Sequence, residues 1–161
     1  QLGGVDTPLV VIDYAHTPDA LEKAVQSVHQ VAQERRGKLW CVFGCGGDRD
    51  AGKRPQMALA AQQAEQLIVT SDNPRSEEPA AIIAQIVAGI PTARADQYLI
   101  IEDRATAILT AVRQADKQDV VLIAGKGHEN FQEIKGRRFA FLDADHAALA
   151  LAARATRHGG H

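Results

Sequence analysis

Apolar residues occur along this chain in short unbroken runs, separated by longer segments in which they recur every three or four positions. The unbroken runs are typical of strands covered on both faces of a sheet. The intervening segments carry helical stripes, such as Leu21, Val25 and Val28. We therefore predict strands at 9–13, 39–43, 67–70, 98–101 and 120–124.

This alternation predicts a Rossmann-like α/β domain with a mostly parallel sheet of about six strands, right-handed crossovers and helices on both faces. Thr17 followed by Pro18 is typical of a helix start. Further helices are predicted at 55–64, from Pro79 to about Gly89, around Ile108–Ala115, and at 144–156. Segments 131–134 and 138–141 flank a turn and predict a hairpin or one antiparallel edge strand.

At 161 residues the chain fits one domain, predicted to cover 1–156 and to be followed by a frayed tail at 157–161. A net charge of −2 gives no reason to expect nucleic acid or an anionic membrane as a partner. There is no apolar stretch of membrane-spanning length and no secretory leader pattern, which favours the cytoplasm. Cys41 and Cys45 are interpreted as buried free thiols.

The tetrapeptide Asp72-Asn73-Pro74-Arg75 directly follows a predicted strand, where ligands bind in open α/β sheets. An amide and a guanidinium held there by a rigid proline suit a carboxylate. An ordinary strand-to-helix turn explains the same residues equally well, since Asp, Asn and Pro are common turn residues.

The glycine-rich loop 44–55 follows the second strand and carries Arg49, Lys53 and Arg54. Its spacing matches neither a phosphate-binding P-loop nor a dinucleotide fingerprint. The glycines permit close backbone approach to a ligand, and the cations suit a carboxylate or phosphate. A solvated charged loop is the alternative interpretation.

Two more loops follow strands. Asp13, Tyr14 and His16 could contact a ribose or a base, although Asp13 could instead satisfy backbone donors at the helix start. After the last parallel strand, Gly125 frees the backbone and Glu129 could pair with an ammonium group. Together the four loops match a zwitterion, but with no Walker motif or magnesium cage the residues indicate a binding half and not a complete enzyme.

Segments 13–19, 43–55, 72–79 and 124–132 resemble the C-terminal domain of Mur ligases, most closely those that add meso-diaminopimelate to UDP-MurNAc-L-Ala-D-Glu. The resemblance implies a bacterial three-domain enzyme. Its N-terminal domain would hold the UDP-sugar, and its central domain would bind ATP and most of the Mg²⁺ ligands. ATP would activate the substrate carboxyl group, and the amine of the incoming amino acid would then form the amide.

By the same resemblance, Arg49, Asn73 and Arg75 hold carboxylates of diaminopimelate, and Asp72 and Pro74 shape the loop. The far end of the substrate goes to Gly125 and Glu129, with Glu129 on an ammonium, while the nucleotide-proximal positions are Asp13, Tyr14 and His16. The resemblance assigns no catalytic residue and no metal ligand to this chain. A related ligase for lysine and a stand-alone binding module remain open, and a nicotinamide-dependent dehydrogenase rests on fold analogy alone.

Overall fold

The apolar runs form one five-stranded parallel sheet in the computed structural model, which describes residues 1–3 and 6–159. Its strands are β1 Leu9–Asp13, β2 Leu39–Phe43, β3 Gln66–Val69, β4 Tyr98–Ile100 and β5 Val120–Ala124. They lie in the order β1-β5-β2-β3-β4, and every pair is parallel. β2 and β5 are buried along their whole length, as expected of central strands.

In the described part of the chain, five α-helices cover the two faces of this sheet: α1 Pro18–Glu34, α2 Arg54–Ala60, α3 Pro79–Val87, α4 Arg104–Gln114 and α5 Asp143–Gly159. α1, α2 and α3 pack on one face, and α4 and α5 pack on the other. Side chains of β2 alternate between the two cores, since Phe43 lies with the first group and Trp40 and Val42 with the second. The predicted fold class is confirmed.

The helix start predicted at Thr17 is also confirmed. Its hydroxyl oxygen accepts a hydrogen bond from the Ala20 amide at 3.2 Å, and Pro18 is the first helical residue. Other boundaries move by a few residues. α2 ends at Ala60 and not near residue 64, and β4 stops at Ile100, which is half exposed at the edge of the sheet.

The predicted hairpin is confirmed, but it lies outside the main sheet, so the alternative of an antiparallel edge strand is not realised and the described sheet has five strands where about six were predicted. β6 Phe131–Ile134 and β7 Arg137–Ala140 form a separate two-stranded hairpin. Its backbone pairs with the loop after β3, because Arg75 N donates to Glu133 O at 2.9 Å and Lys135 N donates to Arg75 O at 2.6 Å. The hairpin therefore supports the predicted site and does not extend the sheet.

The last helix extends beyond the end predicted at residue 156. The α5 backbone continues to Gly159, and residues 160 and 161 of the predicted frayed tail lie outside the described residues. Cys41 and Cys45 are buried free thiols, as predicted, and burial raises the pKa of each to about 12. Among the described residues, no helix is both long and apolar enough to cross a membrane.

Candidate functional site

An open cleft lies at the carboxyl ends of β1, β2, β3 and β5, where the loops named above converge. It brings together eight of the ten predicted positions: Tyr14, His16, Arg49, Asp72, Asn73, Arg75, Gly125 and Glu129. Asp13 lies instead on a neighbouring cavity that it shares with Tyr14 and Glu129. Pro74 is buried, and its carbonyl oxygen lies so close to Gly47 that a Cβ atom on residue 47 would overlap that oxygen.

Asn73 is the most heavily bonded side chain of the tetrapeptide. Its Oδ1 accepts hydrogen bonds from Lys126 Nζ at 3.1 Å and from the Glu133 amide at 2.9 Å. Its Nδ2 donates to Glu129 Oε1 at 3.3 Å, and its main-chain oxygen accepts from the Gly47 amide at 2.7 Å. Asn73 thus ties three loops together and keeps one amide hydrogen without a partner among the described residues.

Arg75 presents a guanidinium to the cleft from an unusual backbone position. Its φ of 53° lies in the left-handed region, which ordinary side chains seldom occupy. Nη1 donates to Gly47 O at 3.0 Å, whereas Nε and Nη2 make no hydrogen bond within the described part of the chain. The half-buried guanidinium therefore retains donors for an anion in the cleft.

The two arginines of the glycine-rich loop have different surroundings. Arg49 is exposed at the cleft and donates to Asp48 O at 3.1 Å. Arg54 is buried and makes a two-pronged ion pair with Glu77, at 3.1 Å and 2.6 Å. That pair holds the pKa of Glu77 well below its ordinary value, at about 2. The loop is therefore not uniformly a solvated cationic loop, because Arg54 stabilises it from inside.

Lys126 is the main site residue that the sequence analysis did not single out. It is fully buried, and its ammonium lies 3.1 Å from Glu129 Oε1 and 3.7 Å from Asp72 Oδ1. The sequence held one signal for its burial: Lys126 lies between two glycines directly after an unbroken apolar strand, where the chain leaves the buried end of that strand. Glu129 thus already has one ammonium partner within the chain.

Asp72 faces the cleft from an almost fully buried position. Burial raises the pKa of its carboxyl group, while the nearby charges of Arg104 and Lys126 act in the opposite direction. Gly125, with a φ of 114°, leaves room for this carboxylate, because a Cβ there would come within 2.9 Å of Asp72 Oδ2.

A second buried pair lies beneath the site. Arg104 and Asp143 are fully buried and joined by two hydrogen bonds of 2.8 Å. Arg104 also donates to the carbonyls of Ser71 and Ala124, each at 3.1 Å. These two residues immediately precede Asp72 and Gly125, so one arginine anchors the starts of both site loops. The sequence analysis missed this pair as well.

Two aromatic rings form the rim near β1. Tyr14 is 54% exposed, and its ring lies edge-on to His16 with the centroids 4.7 Å apart. Asp13 Oδ1 accepts from the Ala15 amide at 2.8 Å, so part of this carboxylate satisfies a backbone donor, as the alternative interpretation held. Exposed rings at a cleft rim can stack on a planar group such as a base. Among the described residues, no group of three or more His, Cys, Asp or Glu side chains could hold a metal ion.

Comparison with known proteins gives consistent matches. The family model "Mur ligase, glutamate ligase domain" matches residues 1–127. UDP-N-acetylmuramoyl-L-alanyl-D-glutamate--2,6-diaminopimelate ligase of Janthinobacterium sp. (strain Marseille) is 66% identical over 154 residues, which are 96% of this chain and 30% of that protein. The protein of the same name from Ralstonia nicotianae is 57% identical over 155 residues, again covering 96% and 30%.

Solved structures agree with this. A structure described as UDP-N-acetylmuramoyl-L-alanyl-D-glutamate--2,6-diaminopimelate ligase matches with a TM-score of 0.85 and 46% identity, over 96% of this chain and 31% of that one. A bifunctional folylpolyglutamate synthase/dihydrofolate synthase matches with a TM-score of 0.60 and 24% identity, covering 92% and 30%, and supports the fold. The chain spans about 30% of the length of the curated relatives it matches. It belongs to the Mur ligase family and corresponds to its glutamate ligase domain.

Proposed function

We propose that this chain is the amino-acid-binding domain of an ATP-dependent ligase that adds meso-diaminopimelate to UDP-MurNAc-L-Ala-D-Glu in bacterial peptidoglycan synthesis. The observation that carries the proposal is the charge arrangement of the cleft. Arg49 and Arg75 supply cationic donors, and Asp72 and Glu129 supply carboxylates, all on one cleft. A ligand with carboxylates and ammonium groups matches both. The names of relatives up to 66% identical support the same substrate.

Each end of diaminopimelate has a place in this cleft. Arg75 and Arg49 receive carboxylates, and the remaining amide hydrogen of Asn73 adds a donor. Glu129 and Asp72 receive an ammonium, with Gly125 leaving the space. Lysine lacks the second carboxylate, so it would leave a half-buried guanidinium without its anion. Arg75 is therefore the residue that selects diaminopimelate.

The nucleotide belongs on the Asp13, Tyr14 and His16 side of the cleft. Exposed rings of Tyr14 and His16 suit a base or ribose that reaches this rim from a neighbouring domain. ATP supplies the energy for amide formation, and ATP and Mg²⁺ are bound mainly by the central domain of the full-length enzyme. We propose UDP-sugar-binding and ATP-binding domains in the same polypeptide as partners, and a cytoplasmic location, where UDP-linked precursors and ATP are available.

The contribution of this chain to the reaction is positional. Fixing both ends of the amino acid directs its free amine toward an activated carboxyl group, and closure of the domain excludes competing water. None of the residues described above needs to exchange a proton or form a covalent bond for this role.

The test is a ligase assay of the complete reading frame that encodes this chain, with diaminopimelate and lysine compared side by side. Diaminopimelate-dependent ADP release is expected, with little or none for lysine. Arg75→Ala is expected to lower kcat/KM for diaminopimelate roughly thirtyfold or more, because losing one partner of a desolvated charge pair costs about 2 kcal/mol or more.

Arg113→Ala is the matched control, since Arg113 is exposed on α4 away from the cleft. It should leave both kinetic constants unchanged. Equal use of lysine and diaminopimelate, or an Arg75→Ala variant with unchanged kcat/KM, would contradict the assigned selectivity. Absence of ADP release with either amino acid would favour a binding module without catalysis.

A further inference from the structure

Lys126 occupies a position that is costly for a lysine. Its side chain is 0% exposed, and a buried ammonium is retained only where partners replace its water. Core packing alone would be served better by an apolar residue of similar length. Packing of the fold therefore does not explain why a charged residue occupies this position.

The partners of the ammonium come from two different loops. Nζ lies 3.1 Å from Asn73 Oδ1 and 3.7 Å from Asp72 Oδ1, both in the loop after β3. It lies 3.1 Å from Glu129 Oε1 in the loop after β5. The ring of Phe131 closes the remaining side, with its centroid 5.6 Å from Nζ.

All three polar partners line the cleft, whereas Lys126 lies behind them. With both carboxyl groups ionised, a form that the charges of Arg104 and Lys126 favour at Asp72, the two carboxylates and one ammonium leave one negative charge in excess, which is the charge needed to receive one further ammonium. Without Lys126, the two carboxylates would face each other across a largely buried space, and protonation of one would relieve their repulsion.

We propose that Lys126 is a positioning residue for amino-acid binding: its buried ammonium holds Asp72, Asn73 and Glu129 together as one subsite with a single excess negative charge, which accepts an ammonium group of the substrate. This deepens the proposed function and rests on it. Lys126 acts through these three side chains and does not itself contact the reacting atoms.

Other charged groups near this subsite are accounted for. Arg104 and Asp143 face Asp72 from beneath and form a neutral pair. The Cys45 thiol lies near Asp72 and has a pKa raised to about 12, so it stays neutral at working pH. Arg75 lines the same cleft, and Tyr14 and His128 border the neighbouring cavity that Lys126 lines. Among the described residues, Lys126 is therefore the cation that forms ion pairs with both Asp72 and Glu129.

The test uses Lys126→Met in the complete reading frame, because methionine matches the lysine side chain out to Cε and removes the charged ammonium group. The expected results are a KM for diaminopimelate raised about tenfold or more with little change in the KM for ATP. The acid limb of the pH profile of kcat/KM for diaminopimelate is expected to move upward by about one pH unit, since an unpaired carboxylate binds protons more tightly. Lys23→Met, which removes an exposed lysine of α1, is the control.

A folded Lys126→Met variant with unchanged KM for diaminopimelate and an unshifted acid limb would overturn the proposal. If that variant does not fold, Lys126→Arg decides. It keeps the charge but cannot reproduce the three short distances, so KM for diaminopimelate should rise while the acid limb stays in place. No rise, or an equal rise in the KM for ATP, counts against the positioning role. If the unsubstituted protein shows no diaminopimelate-dependent ADP release, it is the proposed function that fails.

Discussion

At the scale of single residues, backbone conformation and side-chain chemistry favour different amino acids at several positions. Lys135 and Gly136 form the two-residue turn between β6 and β7, with φ values of 50° and 77°. Positive φ at both positions is typical of the hairpin turn that prefers Asn-Gly. Lysine at the first position therefore holds a strained backbone conformation.

Lys135→Asn is expected to raise the free energy of unfolding by up to about 1 kcal/mol, because Asn tolerates the left-handed conformation better. The exposed ion pair of Lys135 with Glu78 is lost, but such pairs contribute little. Equilibrium denaturation of the chain measures the change. Glu78→Gln, which breaks the ion pair and leaves the turn intact, is the control; a loss of stability in Lys135→Asn would contradict the expected strain.

From the sequence, two cations could be placed at the cleft, but the buried charges could not be identified. Arg49 and Arg75 were named as cleft cations, and the structure brings both to the cleft. Lys126 and Arg54 were not recognised as buried ion-pair residues. Lysine and arginine are usually solvated, and their burial depends on acidic partners far along the chain, such as Glu77 for Arg54.

At the scale of elements, the Arg54–Glu77 pair joins the start of α2 to the segment that leads into α3. Glu77 Oε2 also accepts a hydrogen bond from the Asp48 amide at 2.6 Å, so the same carboxylate fixes the glycine-rich loop. Two loops of the cleft thus depend on one carboxylate remaining ionised.

We expect this dependence to appear as acid sensitivity. The pKa of Glu77 is lowered from an ordinary value of 4.5 to about 2 in the folded chain, so the ionised group stabilises the fold fully above about pH 4.5. That stabilisation is lost as the pH falls through about 2. The difference in unfolding free energy between the native chain and Glu77→Gln should therefore shrink between those values.

Urea denaturation at a series of pH values measures this difference. Glu22→Gln, an exposed position on α1, should show no comparable pH-dependent difference. A difference for Glu77→Gln that is constant from pH 6 to pH 2 would show that Glu77 does not act through its charge.

At the scale of the whole molecule, the Arg104–Asp143 pair connects parts that the sheet alone leaves separate. Arg104 begins α4, Asp143 begins α5, and the carbonyls that Arg104 binds lie at the carboxyl ends of β3 and β5, where the two site loops start. Two helices and two site loops are therefore fixed by one buried guanidinium.

Asp143→Asn is expected to destabilise the chain by about 3–5 kcal/mol, because it leaves the Arg104 guanidinium buried without its counter-charge. Asp145→Asn is the matched control: it removes an acidic residue from the same first turn of α5 but at an exposed position, and should cost less than about 1 kcal/mol. Chemical denaturation checks both. Similar small losses in the two variants would show that the pair does not organise the fold.

The sequence supported the fold class because strand and helix periodicities are local properties of the chain. It did not support the strand order, since the same alternation is compatible with several orders, and β5 lies between β1 and β2 through tertiary packing. It also did not reveal that the hairpin pairs with residue 75, because nothing in the alternating pattern of β6 and β7 identifies a third backbone partner.

The left-handed backbone at Arg75 means that two selections act in opposite directions on one codon. Glycine or asparagine would relieve the backbone strain at φ 53°, so selection for a more stable domain favours replacement of the arginine. Selection for the proposed binding of the second carboxylate of diaminopimelate favours retention of Arg75. A lineage that no longer met diaminopimelate could thus lose this specificity through a single replacement that folding itself rewards, whereas regaining it would require accepting a less stable turn.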